Sequence, residues 1–101
     1  MLVEFSIVPL GAGSSISHKI AEVLKIVDAS GLPYRINPMG TVIEGEWDEL
    51  FRLIKKCHSS MKKEDDRVMT RILIDDRKGR TDMLSYKIKS VEKKIGKSLK
   101  K

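Results

Sequence analysis

The chain has a single cysteine, Cys57, so it can form no intrachain disulfide and no multi-thiolate metal site. It has no glutamine, and Asn37 is its one asparagine. Scarce amides beside abundant lysine and glutamate are a composition that accompanies growth at high temperature. Aromatics make up 5% of residues: Phe5, Tyr34, Trp47, Phe51 and Tyr86. No apolar run reaches the ~18 residues that a membrane-crossing helix needs, which argues against a membrane protein. The opening Met1-Leu2-Val3-Glu4-Phe5 lacks a basic n-region, and Pro9 to Gly13 interrupt its apolar stretch, so no signal peptide is expected. Together with the lone thiol, this places the protein in the reducing cytoplasm as an expectation.

What remains is a 101-residue chain with 41% hydrophobic and 34% charged residues, enough for one domain spanning 1–101 with one core. Its net charge of +6 is unevenly placed. Residues 1–85 carry thirteen charges of each sign, whereas 86–101 carry seven lysines against Glu92. The surplus belongs to the terminal segment, not to a basic domain.

Hydropathy patterning gives the element order. Leu2 to Leu10 alternates as a strand, with Val3, Phe5 and Ile7 on one side and Glu4 and Ser6 on the other. After Gly11-Ala12-Gly13-Ser14-Ser15, with a serine as cap, Ile16, Ile20, Val23, Leu24 and Val27 recur at helical spacing up to Gly31. Residues 34–37 and 41–44 form a hairpin around Pro38-Met39-Gly40. A second helix begins near Trp47 and carries Trp47, Leu50, Phe51, Ile54, Cys57 and Met61 on one stripe, the side expected to be buried. Residues 67–75 alternate as a fourth strand, and a basic helix over about 82–97 aligns Leu84, Ile88, Val91 and Ile95 before the last residues fray. The order β-α-β-β-α-β-α is an α+β, ferredoxin-like antiparallel sheet with an added C-terminal helix. One sheet face is covered by two helices. The other carries Glu4, Ser6, Val8, Val42, Glu44, Met69, Arg71 and Leu73, too apolar for free solvent and too polar for a core.

Recognisable chemistry is sparse. The glycine-serine loop opens a helix after a strand, where an anion can bind, but it completes neither a Walker loop nor the dinucleotide fingerprint, and a turn with a cap is the plainer reading. Cys57 and His58 are consecutive and diverge on their helix, so no metal site is expected. Both histidines read as exposed, and no nucleophile-base set assembles, so no catalytic residues and no enzyme activity are expected. Glu4, Glu44 and Asp75 sit in strands among apolar neighbours, with Arg71 or Arg35 as candidate partners, while Ser6 and Thr41 offer hydroxyls to the same surface. RNA recognition on this fold needs aromatics on the central strands, where this chain has Thr41-Val42-Ile43-Glu44, so no nucleic-acid partner is expected.

Three segments, Glu4-Phe5-Ser6-Ile7-Val8-Pro9-Leu10-Gly11, Tyr34 to Gly45, and Ile72-Leu73-Ile74-Asp75-Asp76-Arg77, together resemble the YkoF-like thiamine-binding protein family over about residues 2–95. The Gly40-Thr41 step followed by Glu44-Gly45 ahead of a helix is the most specific part. The resemblance implies a ferredoxin-like fold and a homodimer or homotetramer formed through the sheets. It also implies binding of thiamine or a related pyrimidine without chemistry on it and without a cofactor. Thr41 and Glu44 match the family's threonine and glutamate, Pro9 the proline ending its first strand, and Asp75 the acid ending its fourth. Met39-Gly40 departs from the small polar residues that thiamine-binding members tend to carry. The expected ligand site is therefore Ser6, Pro9, Asn37, Met39, Thr41, Glu44 and Asp75, serving sequestration or sensing. The alternative is a structural or regulatory oligomerisation module. Binding of nucleic acid or membrane through the basic helix ranks below both, because its apolar stripe is expected to dock on the domain.

Overall fold

The computed structural model describes residues 1–11, 13 and 16–101. The anion-loop reading rests on Ala12, Ser14 and Ser15, which lie outside the described residues; the expected serine cap gives way to Ile16, which precedes the first helix and makes no side-chain cap bond. The elements run β1 (Leu2–Pro9), α1 (Ser17–Ala29), β2 (Tyr34–Asn37), β3 (Gly40–Glu44), α2 (Trp47–Lys62), β4 (Val68–Asp75) and α3 (Met83–Ile95). The four strands form one antiparallel sheet in the order β2-β3-β1-β4. This is the expected ferredoxin-like arrangement with a third helix.

Strand parity decides what is buried. Val3, Phe5 and Ile7 of β1 and Ile43 of β3 point to one face and are at most 4% exposed. Against them pack Val23 and Val27 of α1 and Leu50, Leu53, Ile54, Cys57 and Met61 of α2. Cys57 sits where the two helices meet, its thiol facing the Val23 carbonyl, and burial pushes its pKa up to about 11. It is a small hydrophobe of the core, not a nucleophile.

Three expectations need correction at the helices. Trp47 was placed on the buried stripe of α2, yet it is 55% exposed, because it is the first helical residue and stacks on Phe51 at 4.6 Å above the core. His58 is not free on the surface: its Nδ1 lies 2.6 Å from the Thr70 hydroxyl, joining α2 to β4. On α3, Leu84 and Ile88 are half-buried, but Val91 and Ile95 are 49% and 55% exposed, so the apolar stripe docks only along its first half.

On the opposite sheet face, Arg35, Val42, Glu4 and Leu73 form one cross-strand row. Leu73 and Met69 are 69% and 46% exposed there. The face is as mixed as the sequence implied. Among the described residues no helix is long and apolar enough to cross a membrane.

Candidate functional site

The site begins with a mismatch in strand length. All of β1 pairs with β4, from Leu2 opposite Asp75 to Pro9 opposite Val68, but only Leu2 to Phe5 pair with β3. The hairpin turns too early to follow β1 further. Pro38 has no N–H to extend a ladder, so the chain reverses through Pro38-Met39 and β3 starts at Gly40. A Cβ on Gly40 would lie 3.2 Å from the Phe5 carbonyl oxygen, so glycine is what lets the hairpin end approach β1 this closely. Beyond that point Ser6 to Pro9 keep β4 on one flank and, among the described residues, have no strand on the other.

The resulting notch opens into a cleft of about 720 Å³ between β1, the hairpin and the start of α1. Ile20, Val23 and Ile36 give it apolar walls, and Ser6, Ser17, Asn37 and Thr41 give it polar groups. That mixture, in that volume, is typical of a small-molecule site. Two contacts hold α1 in place above it. Lys19 pairs with Asp65 at 2.6 Å, with side chains 17% and 9% exposed. At the other end of the helix the Tyr34 hydroxyl donates to Asp28 at 2.7 Å, and that carboxylate raises the tyrosine pKa.

Of the seven residues expected at the site, the cleft brings together four: Ser6, Asn37, Met39 and Thr41. The reasoning for two of them needs correction. Ser6 and Thr41 are not on one surface, because Thr41 pairs with Phe5 and so faces the helices, where it is 7% exposed. They reach a common space only because the sheet is interrupted between them. Pro9 is buried opposite Val68 and does not line the cleft.

Glu44 and Asp75 lie at the other end of β1, both opposite Leu2. The Glu44 carboxylate accepts the Met83 N–H at 2.7 Å and the Leu84 N–H at 3.1 Å. It caps α3, whose own preceding residue Asp82 makes no side-chain cap bond. Asp75 takes the Lys87 ammonium at 2.7 Å, and that bond holds its carboxyl below the usual range. The expected partners Arg71 and Arg35 serve neither acid. One guanidinium nitrogen of Arg35 is buried without a partner among the described residues.

Sequence reasoning missed Arg71 as a cleft residue, having taken it for an internal ion-pair partner. Its place opposite Ser6 puts it at the notch, where it lines both the cleft and a smaller hollow of about 150 Å³ on the open face. The two hollows share Phe5, Ser6, Met39 and Arg71. Strand alternation alone had already put Ser6 and Arg71 on one face, but only the register sets them side by side. Among the described residues no cluster of three His, Cys, Asp or Glu side chains stands close enough to hold a metal ion.

Comparison with known proteins adds a family. A family profile described as thiamine-binding protein matches residues 3–92. A UPF0045 protein of Methanocaldococcus jannaschii is 34% identical over 91 residues, covering 90% of this chain and 91% of the relative. The UPF0045 protein YqgV of Bacillus subtilis is 38% identical over 100 residues, covering 93% and 96%. Among solved structures, the same Methanocaldococcus protein superposes with a TM-score of 0.83, covering 89% of this chain and 93% of that one. A Thermotoga maritima protein whose description links it to thiamine biosynthesis or salvage gives 0.79 at 20% identity, with 89% and 96% covered, a likeness of fold.

Proposed function

The chain belongs to the thiamine-binding protein family, and from that premise we propose that it binds thiamine or a related pyrimidine, without chemistry on it, in the cleft at the β1–hairpin notch. The observation that carries this reading is the cleft itself. It has the volume for a ring-bearing ligand, apolar walls for the ring faces, and hydroxyl and amide groups of Ser6, Asn37 and Thr41 for ring nitrogens and an exocyclic amine. Ser6 to Val8 also present strand backbone with no paired strand on the cleft side among the described residues, which adds donors and acceptors at fixed spacing. Such a protein sequesters or senses its ligand in the cytoplasm. Calorimetric titration with thiamine and with hydroxymethylpyrimidine tests it: saturable heat is expected, and none at millimolar ligand removes the reading.

Assembly through the open sheet face accompanies this proposal. Leu73 and Met69 there, with Val91 and Ile95 of α3, are exposed apolar side chains of the kind that an assembly interface covers. The same exposure favours the second reading, an oligomerisation module with no ligand. Light scattering on the eluting protein is expected to give a dimer or tetramer. A strict monomer contradicts the assembly in both readings, and a ligand-silent oligomer leaves the second.

A further inference from the structure

The charge of the cleft is as informative as its shape. Among the described residues that line it, only Arg71 carries a formal charge; the others are apolar or neutral polar. Glu44 and Asp75, the acids expected to meet a cationic or amine-bearing ligand, are at the far end of the sheet and already bonded to α3. Glu4 lines the open-face hollow but not the cleft. Arg71 itself enters no salt bridge with any described residue. The first turn of α1, which contributes Ser17 to the wall, contains no acidic residue to oppose the positive end of its helix.

A cationic ring placed in the cleft meets Arg71 at its rim and no acid among the described lining residues, so its binding rests on the apolar walls and neutral polar groups. An anion meets a planar guanidinium with paired N–H groups, solvent-exposed at the rim of an apolar cleft. We infer that the ligand carries an anionic substituent on its ring, a phosphate monoester, and that Arg71 is the group that receives it. The inference rests on the cleft being the ligand site and narrows the ligand class within that reading. In the bound geometry the ring lies against Ile20, Val23 and Ile36, and the phosphate points through the notch between Ser6 and Met39 toward Arg71.

Paired titrations decide it. Hydroxymethylpyrimidine is compared with its phosphate, and thiamine with thiamine monophosphate, on the parent protein and on Arg71→Gln and Arg71→Lys variants whose folding is checked by melting curves. In the parent, each phosphate ester is expected to bind about fivefold more tightly than its alcohol, as a charge-assisted pair with a solvent-exposed arginine implies. That ratio is expected to shrink with added salt, to fall toward one in Arg71→Gln, and to return in part in Arg71→Lys. Equal affinity for ester and alcohol in the parent overturns the inference and leaves the cleft reading standing. A ratio that survives Arg71→Gln also overturns it, since another group then receives the phosphate. No binding of any of the four compounds removes the cleft reading and the inference with it.

Discussion

The two ends of β1 contrast in how completely their polar groups are satisfied. At the Leu2 end, Glu44 holds two α3 amides, Asp75 holds Lys87, and Glu49 accepts the Glu46 N–H at 2.7 Å. Gly45 is part of this packing, because a Cβ there would lie 2.7 Å from the Glu49 carboxylate oxygen. At the Ser6 end, one flank of the strand has no strand neighbour among the described residues, and Arg71 enters no salt bridge with a described acid, although Glu4 lines the same small hollow. Both ends carry polar side chains among apolar ones, and sequence alone treats them alike. The difference teaches that a strand carboxylate with internal donors maintains the fold, while unmatched polar groups around a cavity are what a ligand can use.

That contrast can be tested by substitution. The largest effect is expected where the two ends meet. Phe5 is 2% exposed, packs in the core, and its carbonyl abuts Gly40. Phe5→Ala is expected to cost about 3–5 kcal/mol in urea unfolding and to abolish binding with it. A smaller loss separates the ends. Glu44→Ala leaves two α3 amides without their acceptor and is expected to cost about 1–3 kcal/mol, with ligand affinity unchanged in titration. If Glu44→Ala instead abolishes affinity while the protein melts normally, the acid belongs to the site and the division between ends fails.

At the open end the pattern reverses. Thr41→Val keeps the side-chain shape and removes the hydroxyl, so affinity is expected to weaken about tenfold while the melting temperature stays close to the parent's. The smallest effect is the pH response of the closed end. Lys87 lowers the Asp75 pKa in the folded protein, so the stability this pair contributes is present above the unfolded carboxyl pKa and is lost as pH falls through the lowered folded value. The pair is solvent-exposed, so the effect is expected as a change in α3 resonances on acidification below about pH 4, absent in Asp75→Asn, and not as global unfolding.

Much of the fold was legible in the sequence because alternation and helical spacing are local signals. The strand over 67–75 and the helix from Trp47 could be read from their own residues, and the structure places them within a residue or two. Trp47 itself was misjudged for a tertiary reason: spacing assigns it to the stripe, but a first helical residue lies beyond the edge of the sheet it would cover. Val91 and Ile95 were misjudged similarly, since the spacing that aligns them with Leu84 and Ile88 says nothing about how far the surface beneath the helix extends. The resemblance put the hairpin end among the expected site residues, and the structure places Asn37, Met39 and Thr41 on the cleft. That resemblance also carried in Glu44 and Asp75, whose partners sit 39 and 12 residues away along the chain.

By itself, then, the sequence determined the order of elements, the parity that buries Val3, Phe5, Ile7 and Ile43, and the confinement of excess charge to the terminal segment 86–101. These follow from side-chain periodicity and composition, which need no knowledge of distant neighbours. Only the tertiary structure decided that β3 stops four residues short of β1's end, that the gap becomes a cleft, and that Arg71 stands at its border while Glu44 caps α3. Those outcomes depend on pairing register and on which polar group reaches which partner first. Both are settled by contacts between segments far apart in the chain, so no local pattern encodes them.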